Sequence, residues 1–179
     1  GHAGSPGSDV RRTTRVRRSD PSTGGDMKEP RFAIDTADAA SVQAHLLRCA
    51  DSFIPPLRER VDVARYSEKI ALHATTFEAW NGGALIGLVA AYANDPSTGF
   101  AFVTSVSVDG DHVGRGIARQ LIRECLAYAT SHGFDAVRLE VATNNEAALR
   151  LYESSGFRTT DAAGTTLTMQ WQHEPEGRP

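Results

Sequence analysis

Cysteine is scarce: Cys49 and Cys125 are the only two in 179 residues. Two thiols cannot staple a chain of this length, so the fold must rest on a hydrophobic core. Both fall at apolar positions of helical patterns. They read as buried free thiols of a reducing compartment, not as a disulfide or a catalytic thiol. No Cys or His pair has ligand spacing, which leaves zinc and other metals without support. Long apolar runs are missing, so no segment is expected to span a bilayer. Basic excess is missing as well. The formal net charge is -3, and no global positive field recruits nucleic acid. The opening residues are polar and rich in Gly, Ser and Arg, without a secretory pattern, so a cytoplasmic location is expected.

What the chain does have is a strand, a glycine-rich turn and a helix in direct succession. Phe100, Phe102, Val103, Val106 and Val108 make a strand pattern. Ile117, Leu121, Ile122, Cys125, Leu126 and Ala129 recur at helical spacing. Between them lie Gly110, Gly114 and Gly116. Such a turn leaves backbone N–H groups bare at a helix N-terminus, where the helix dipole also favours an anion such as a pyrophosphate. Gly114 and Gly116 carry no Cβ, so a phosphate can approach the main chain. A dinucleotide fingerprint would need a further glycine at position 119, where the chain has Arg119, and nicotinamide and flavin cofactors are set aside.

A second segment, Asn145 to Phe157, reads as a short helix closed by Gly156 and entering a strand. Its Asn145, Ala148, Tyr152, Gly156 and Phe157 match the pattern Asn-x-x-Ala-x-x-x-Tyr-x-x-x-Gly-Phe at every position. Gly114 and Gly116 match the glycines of the loop Gln/Arg-x-x-Gly-x-Gly/Ala, whose first position is here Asp111. With both motifs in this order, residues 31 to 171 resemble the GNAT (GCN5-related N-acetyltransferase) family. The acidic Asp111 could oppose a phosphate, and Arg115 could compensate.

The resemblance implies an α/β (α+β) acyl-CoA N-acyltransferase fold in one domain. A mixed, mostly antiparallel seven-stranded sheet is flanked by four helices, with strands four and five splayed apart. The domain is expected over residues 29–173. Residues 1–28 read as an unstructured tail, or as an added arm ahead of a natural start at Met27. Their basic run Arg11 to Arg18 reads as a solvated tail more readily than as a nucleic-acid arm. Residues 174–179 read as a frayed tail.

The elements follow that order. Arg31 to Asp35 is a first strand. A helix from about Ala37 turns Val42, Leu46, Cys49 and Phe53 inward and stops before Pro55-Pro56. A second helix over about Val61 to His73 turns Val63, Tyr66, Ile70 and Leu72 inward. Asn81-Gly82-Gly83 joins the strands Thr75–Trp80 and Ala84–Tyr92 as a hairpin. The second of these is apolar nearly throughout, as expected of a strand buried on both faces. Asn94 to Gly99 is a turn. Asp135 to Val141 is the fifth strand, Asn144 or Asn145 caps the next helix, and a last hairpin turns at Asp161 to Gly164.

The activity implied is acetyl transfer from acetyl-CoA to an amine, on a small molecule or a peptide. By the resemblance, Val106, Ser107 and Val108 line the pantetheine arm. Val113, Gly114, Arg115, Gly116, Ile117 and Ala118 hold the pyrophosphate, and Asn145 contacts the cofactor. Tyr152 is the candidate general acid, since a phenol is protonated at neutral pH and can protect a departing thiolate. Tyr66, Lys69, His73, Phe77 and Tyr92 are candidates for the acceptor wall by position. The base stays open among Glu78, His73, Asp95, Glu140 and a water held by Thr104 or Ser105. A domain that binds coenzyme A without turnover is the alternative. Neither nucleic acid nor membrane is expected as a partner, and a homodimer is compatible with the family.

Overall fold

The computed structural model describes residues 29–175, so the expected arm over residues 1–28 and the last four residues of the tail lie outside the described residues. The elements are β1 (Arg31–Ile34), α1 (Ala39–Cys49), α2 (Leu57–Arg60), α3 (Val63–His73), β2 (Thr75–Asn81), β3 (Ala84–Tyr92), β4 (Phe100–Val108), α4 (Ile117–Ser131), β5 (Ala136–Ala142), α5 (Glu146–Ser154), β6 (Arg158–Ala163) and β7 (Thr166–Gln172). One seven-stranded sheet runs in the order β1-β2-β3-β4-β5-β7-β6. β4 and β5 are parallel, and every other neighbouring pair is antiparallel.

Local chemistry sets the boundaries. Asp38 caps α1 by accepting from the Ser41 N–H, and Asp62 caps α3 by accepting from the Arg65 N–H. Gly82, at φ +58, turns the β2–β3 hairpin. Gly156, at φ +100, ends the chain's last helical turn, which its N–H closes on the Glu153 carbonyl.

The sheet is packed on both faces. On one, Ile117, Leu121, Ile122, Cys125 and Ala129 of α4 join Tyr152 of α5 over Val89, Val103, Leu139 and Met169. On the other, Val42 and Leu46 of α1 and Val63 and Ile70 of α3 join Leu57 over Trp80, Leu85, Leu88 and Ala90. β3 feeds both clusters, as its unbroken apolar run requires. Cys49 and Cys125 are buried free thiols. Burial pushes them up to about 11 and about 12 respectively, so both stay protonated and unreactive.

Three expectations change. A one-turn helix, α2, fills what reads as loop after Pro56, making five helices among the described residues rather than four. The first helix stops at Cys49, so Phe53 packs from the connection beyond it. Leu72 points outward at 76% exposure. It sits two positions past Ile70, on the opposite side of α3.

Candidate active site

The parallel pair β4 and β5 is joined only from Phe100↔Ala136 to Val103↔Leu139. Beyond that point each strand stays with its other neighbour: Val108 pairs with Gly87 and Ala142 with Thr166. The two therefore diverge, and a cavity of about 420 Å³ opens between them. That size suits a small-molecule site. Thr104 to Val108 form one wall, and Glu140 to Ala142 with α5 form the other.

A bulge starts the divergence. β3 pairs Ala90 with Ser105 and Ala91 with Val103, which leaves Thr104 as the extra residue of β4. The alternation of the strand flips there. Ala101 and Val103 lie in the core under α4, and so do the partly buried Val106 and Val108. Ser107 instead reaches α1, with its Oγ 2.8 Å from His45 Nε2. With β5 gone, alternate peptide groups of β4 lose their ladder partner and face the cleft.

The glycine turn closes one end of the cavity. Gly114 has φ +84 and Gly116 has φ +76, backbone that an L side chain adopts only under strain. A Cβ at either would meet nothing within 4 Å, so open space lies over both. Gly116 is the N-cap of α4 and offers no side chain to satisfy the first N–H groups. Bare donors, a helix dipole and unfilled space form an anion cradle. Val113, Ile117, Ala118 and Arg119 line it with the two glycines. Arg115 lines a second pocket instead, and its guanidinium donates to the Asp111 carbonyl at 3.4 Å. Asp111 does not line the cleft, so its carboxylate does not face the cradle.

Tyr152 stands on the opposite wall. It is only 7% exposed, and its ring tilts against Phe157 at 5.8 Å. Its hydroxyl makes no hydrogen bond among the described residues. Burial pushes this phenol up to about 12. Asn145 caps α5 by accepting from the Ala148 N–H at 3.2 Å, which leaves its amide nitrogen to donate into the cleft it lines.

None of the acceptor-wall candidates Tyr66, Lys69, His73, Phe77 and Tyr92 is among the residues that line the cleft. Tyr66 donates to the Thr104 carbonyl at 2.7 Å and lies 2.8 Å from Thr104 Oγ1, which ties α3 to the bulge. Among the described residues Tyr92 buries a hydroxyl without a hydrogen-bond partner, as does Ser105, and Lys69 Nζ lies 5.3 Å from the Tyr92 ring. His73 is exposed at the end of α3 and does not line the cleft. Phe77 is fully buried in the core, edge-on to Tyr128, and reaches no acceptor.

Among the base candidates, Glu78 is fully buried on β2 and serves the fold. It accepts from the Thr36 N–H and hydroxyl, the Ala37 N–H, the Thr76 hydroxyl and Trp80 Nε1. Asp95 caps a short turn by accepting from Ser97 and does not line the cleft. Glu140, Thr104 and Ser105 do line it. Residues not singled out for the site in the sequence line it too: Ser52, Phe53, Ile54 and Arg60 from the α1–α3 connection, and His112, whose Nδ1 is buried without a hydrogen-bond partner among the described residues. Among the described residues no group of three or more His, Cys, Asp or Glu could hold a metal ion. No described helix is long and apolar enough to cross a membrane.

Known proteins resemble this chain. N-acetyltransferase 8F1 of Rattus norvegicus is 33% identical over 117 residues, 63% of this chain and 52% of its own length. N-alpha-acetyltransferase RimI of Mycobacterium tuberculosis is 35% identical over 130 residues, 70% of this chain and 76% of its own length. The chain thus spans about half the length of the first relative and about three quarters of the second. Among solved structures, an N-acetyltransferase of Thermoplasma acidophilum in complex with coenzyme A superposes with a TM-score of 0.65. It does so at 14% identity, over 80% of this chain and 99% of that one. The family model for the acetyltransferase (GNAT) family matches residues 42–157. With both motifs, the splayed strands and that match in place, the chain belongs to the GNAT acetyltransferase family.

Proposed function

We propose that the chain transfers an acetyl group from acetyl-CoA to a primary amine. The observation that carries this reading is the cleft where β4 and β5 part, with the glycine cradle at one end and Tyr152 on its wall. The cleft fits the cosubstrate, because a Cβ at Gly114 or Gly116 would occupy the open space a phosphate needs. Main-chain donors from Val113 to Ala118 would hold the pyrophosphate, and the unpaired β4 peptide groups near Val106 and Val108 would hold the pantetheine amides. Acetyl-CoA supplies an activated thioester there.

The chain's own residues do the rest. β4 N–H groups released from the β5 ladder would donate where negative charge develops on the acetyl oxygen. Tyr152 keeps a proton on its hydroxyl oxygen for the departing sulfur, and burial holds that proton in place. An ammonium acceptor must first lose a proton, since its pKa is near 10. Glu140, Thr104 and Ser105 line the cleft where this can happen. The likeness to an N-alpha-acetyltransferase over three quarters of that protein's length supports an α-amine as acceptor.

A thermal midpoint with and without acetyl-CoA, followed by thiol release across an amine panel, tests the proposal. At about a hundred times the dissociation constant, binding to the native state adds about 2.7 kcal/mol, an upward shift of roughly 5–10 °C for a domain of this size. A shift together with thiol release supports the enzyme. A shift without release from any amine favours a silent coenzyme-binding module. No shift at millimolar acetyl-CoA overturns both.

A further inference from the structure

We propose that Arg60 reads a carboxylate on the acceptor, so that the amine acetylated belongs to a molecule carrying an acid a few bonds away. This rests on the acetyl-transfer reading and names the acceptor class within it.

The α1–α3 connection also walls the cleft. Phe53 and Ile54 give it an apolar side, and Arg60 gives it a cation. Arg60 ends α2, immediately before the turn into α3. Its guanidinium makes no ion pair and no hydrogen bond among the described residues. Five N–H donors in a planar fork thus border the cavity unused, and that fork matches a carboxylate at two points.

Across the cleft, Glu140 of β5 is the one acid among the described lining residues. A cation and an anion facing one cavity fit a zwitterion, with the carboxylate on Arg60 and the ammonium toward Glu140. A polyamine or an aminoglycoside would bring a second positive charge against Arg60 and leave its fork unmatched. The same chemistry is offered by a free amino acid and by a short peptide with Asp or Glu near its N-terminus.

The test is kcat/KM by thiol release for matched pairs that differ only in the acid. One arm uses free amino acids against their amides. The other uses peptides beginning with Asp or Glu against Asn or Gln. Wild type should prefer the acid of a pair by about 10-fold or more, as charge-assisted bidentate hydrogen bonds do. Whichever arm shows the preference names the source. In Arg60→Gln the preference should fall to near 1, through KM rather than kcat. Arg58→Gln, on the same turn but outside the cleft lining, should behave as wild type. Equal use of acid and amide by wild type, or a preference that survives Arg60→Gln, overturns the inference alone. No thiol release from any amine overturns it together with the acetyl-transfer reading.

Discussion

The Nε2 of His45 lies 2.8 Å from the hydroxyl oxygen of Ser107, and its Nδ1 lies 2.9 Å from the Leu85 carbonyl. A carbonyl can only accept, so Nδ1 carries the hydrogen and Nε2 accepts from the serine. The ring is fully buried and joins α1 to the cleft strand β4. Burial lowers its pKa to about 4, only partly offset by the Leu85 hydrogen bond. In the unfolded chain the ring takes up a proton near pH 6.5, whereas in the fold it stays neutral down to about 4. Between those values the unfolded state binds more protons, so stability falls as the pH falls. The loss should reach roughly 3 kcal/mol at the bottom of the window. Urea unfolding from pH 7 to pH 4 reads it, and His45→Gln should flatten that part of the profile.

Gly116 ties cradle geometry to affinity. Gly116→Val places a branched side chain at φ +76, at a strain of about 1–2 kcal/mol. It also fills the open space over the N-terminus of α4. A backbone N–H that donates to a phosphate makes a charge-assisted hydrogen bond, and breaking one costs about 1.5–3 kcal/mol. Acetyl-CoA affinity should therefore drop roughly tenfold or more by calorimetry. The ligand-free midpoint should fall by only a few degrees, since the strain is all the fold bears.

Tyr152→Phe should lower kcat by about 100-fold or more, the usual scale for a general acid. The midpoint shift with acetyl-CoA should stay as in wild type, because the ring remains. A phenol pushed up to about 12 remains protonated through about pH 10. Alkaline loss of activity in that range would then belong to another group. Unchanged kcat in Tyr152→Phe would remove the residue from the chemistry.

The sequence carried the cleft's ends better than its middle. Gly114, Gly116, Asn145 and Tyr152 stand in local patterns, strand-turn-helix and helix-glycine-strand, and those patterns fix where they lie. The hairpin at Asn81-Gly82 was legible for the same reason. Phe77 was not. In a strand buried on both faces no alternation says which side chains reach a cavity, and the register that places Phe77 under Tyr128 is tertiary. The bulge at Thr104 is also a matter of register between β3 and β4, with no mark in the residues themselves. Arg60 lay hidden because α2 is too short to show a period. Glu78 looked like a candidate base because its partner Thr36 is 42 residues away. Only the fold shows that its carboxylate is consumed.

Glu78 yields a prediction of its own. Burial pushes its carboxyl up, but hydrogen bonds from Thr36, Thr76, Trp80 and Ala37 outweigh this and hold it below the usual range. The stability it adds is present above about pH 4.5 and is lost as the pH falls through the lowered value in the fold. Glu78→Gln should cost about 2–3 kcal/mol, since an amide cannot accept all of these donors. The midpoint should fall, while the pH dependence of kcat/KM keeps its shape. A large loss of kcat together with the acidic limb in Glu78→Gln would instead make it the base.

Gly87 on β3 decides how closely α4 can lie on the sheet. A Cβ there would sit 2.8 Å from Ile117 Cγ2, 3.2 Å from Leu121 Cδ1 and 3.3 Å from Ala79 Cβ. The Ile117 methyl is on a β-branched side chain with stiff χ1, so it cannot swing aside. In Gly87→Ala the helix itself must lift, at a cost of about 1–3 kcal/mol. Ile117 directly follows the cradle residue Gly116, so the lift should also misplace the N–H groups of the turn. The expected result is a midpoint lower by about 2–10 °C together with weaker acetyl-CoA binding, in a variant whose added methyl meets no cleft residue other than Ile117. Ile117→Leu removes the β-branch methyl that collides. The double variant should recover both stability and affinity relative to Gly87→Ala alone, a coupling of about 0.5–3 kcal/mol in a double-mutant cycle. Additive losses would show that the close approach of β3 and α4 does not set the cradle.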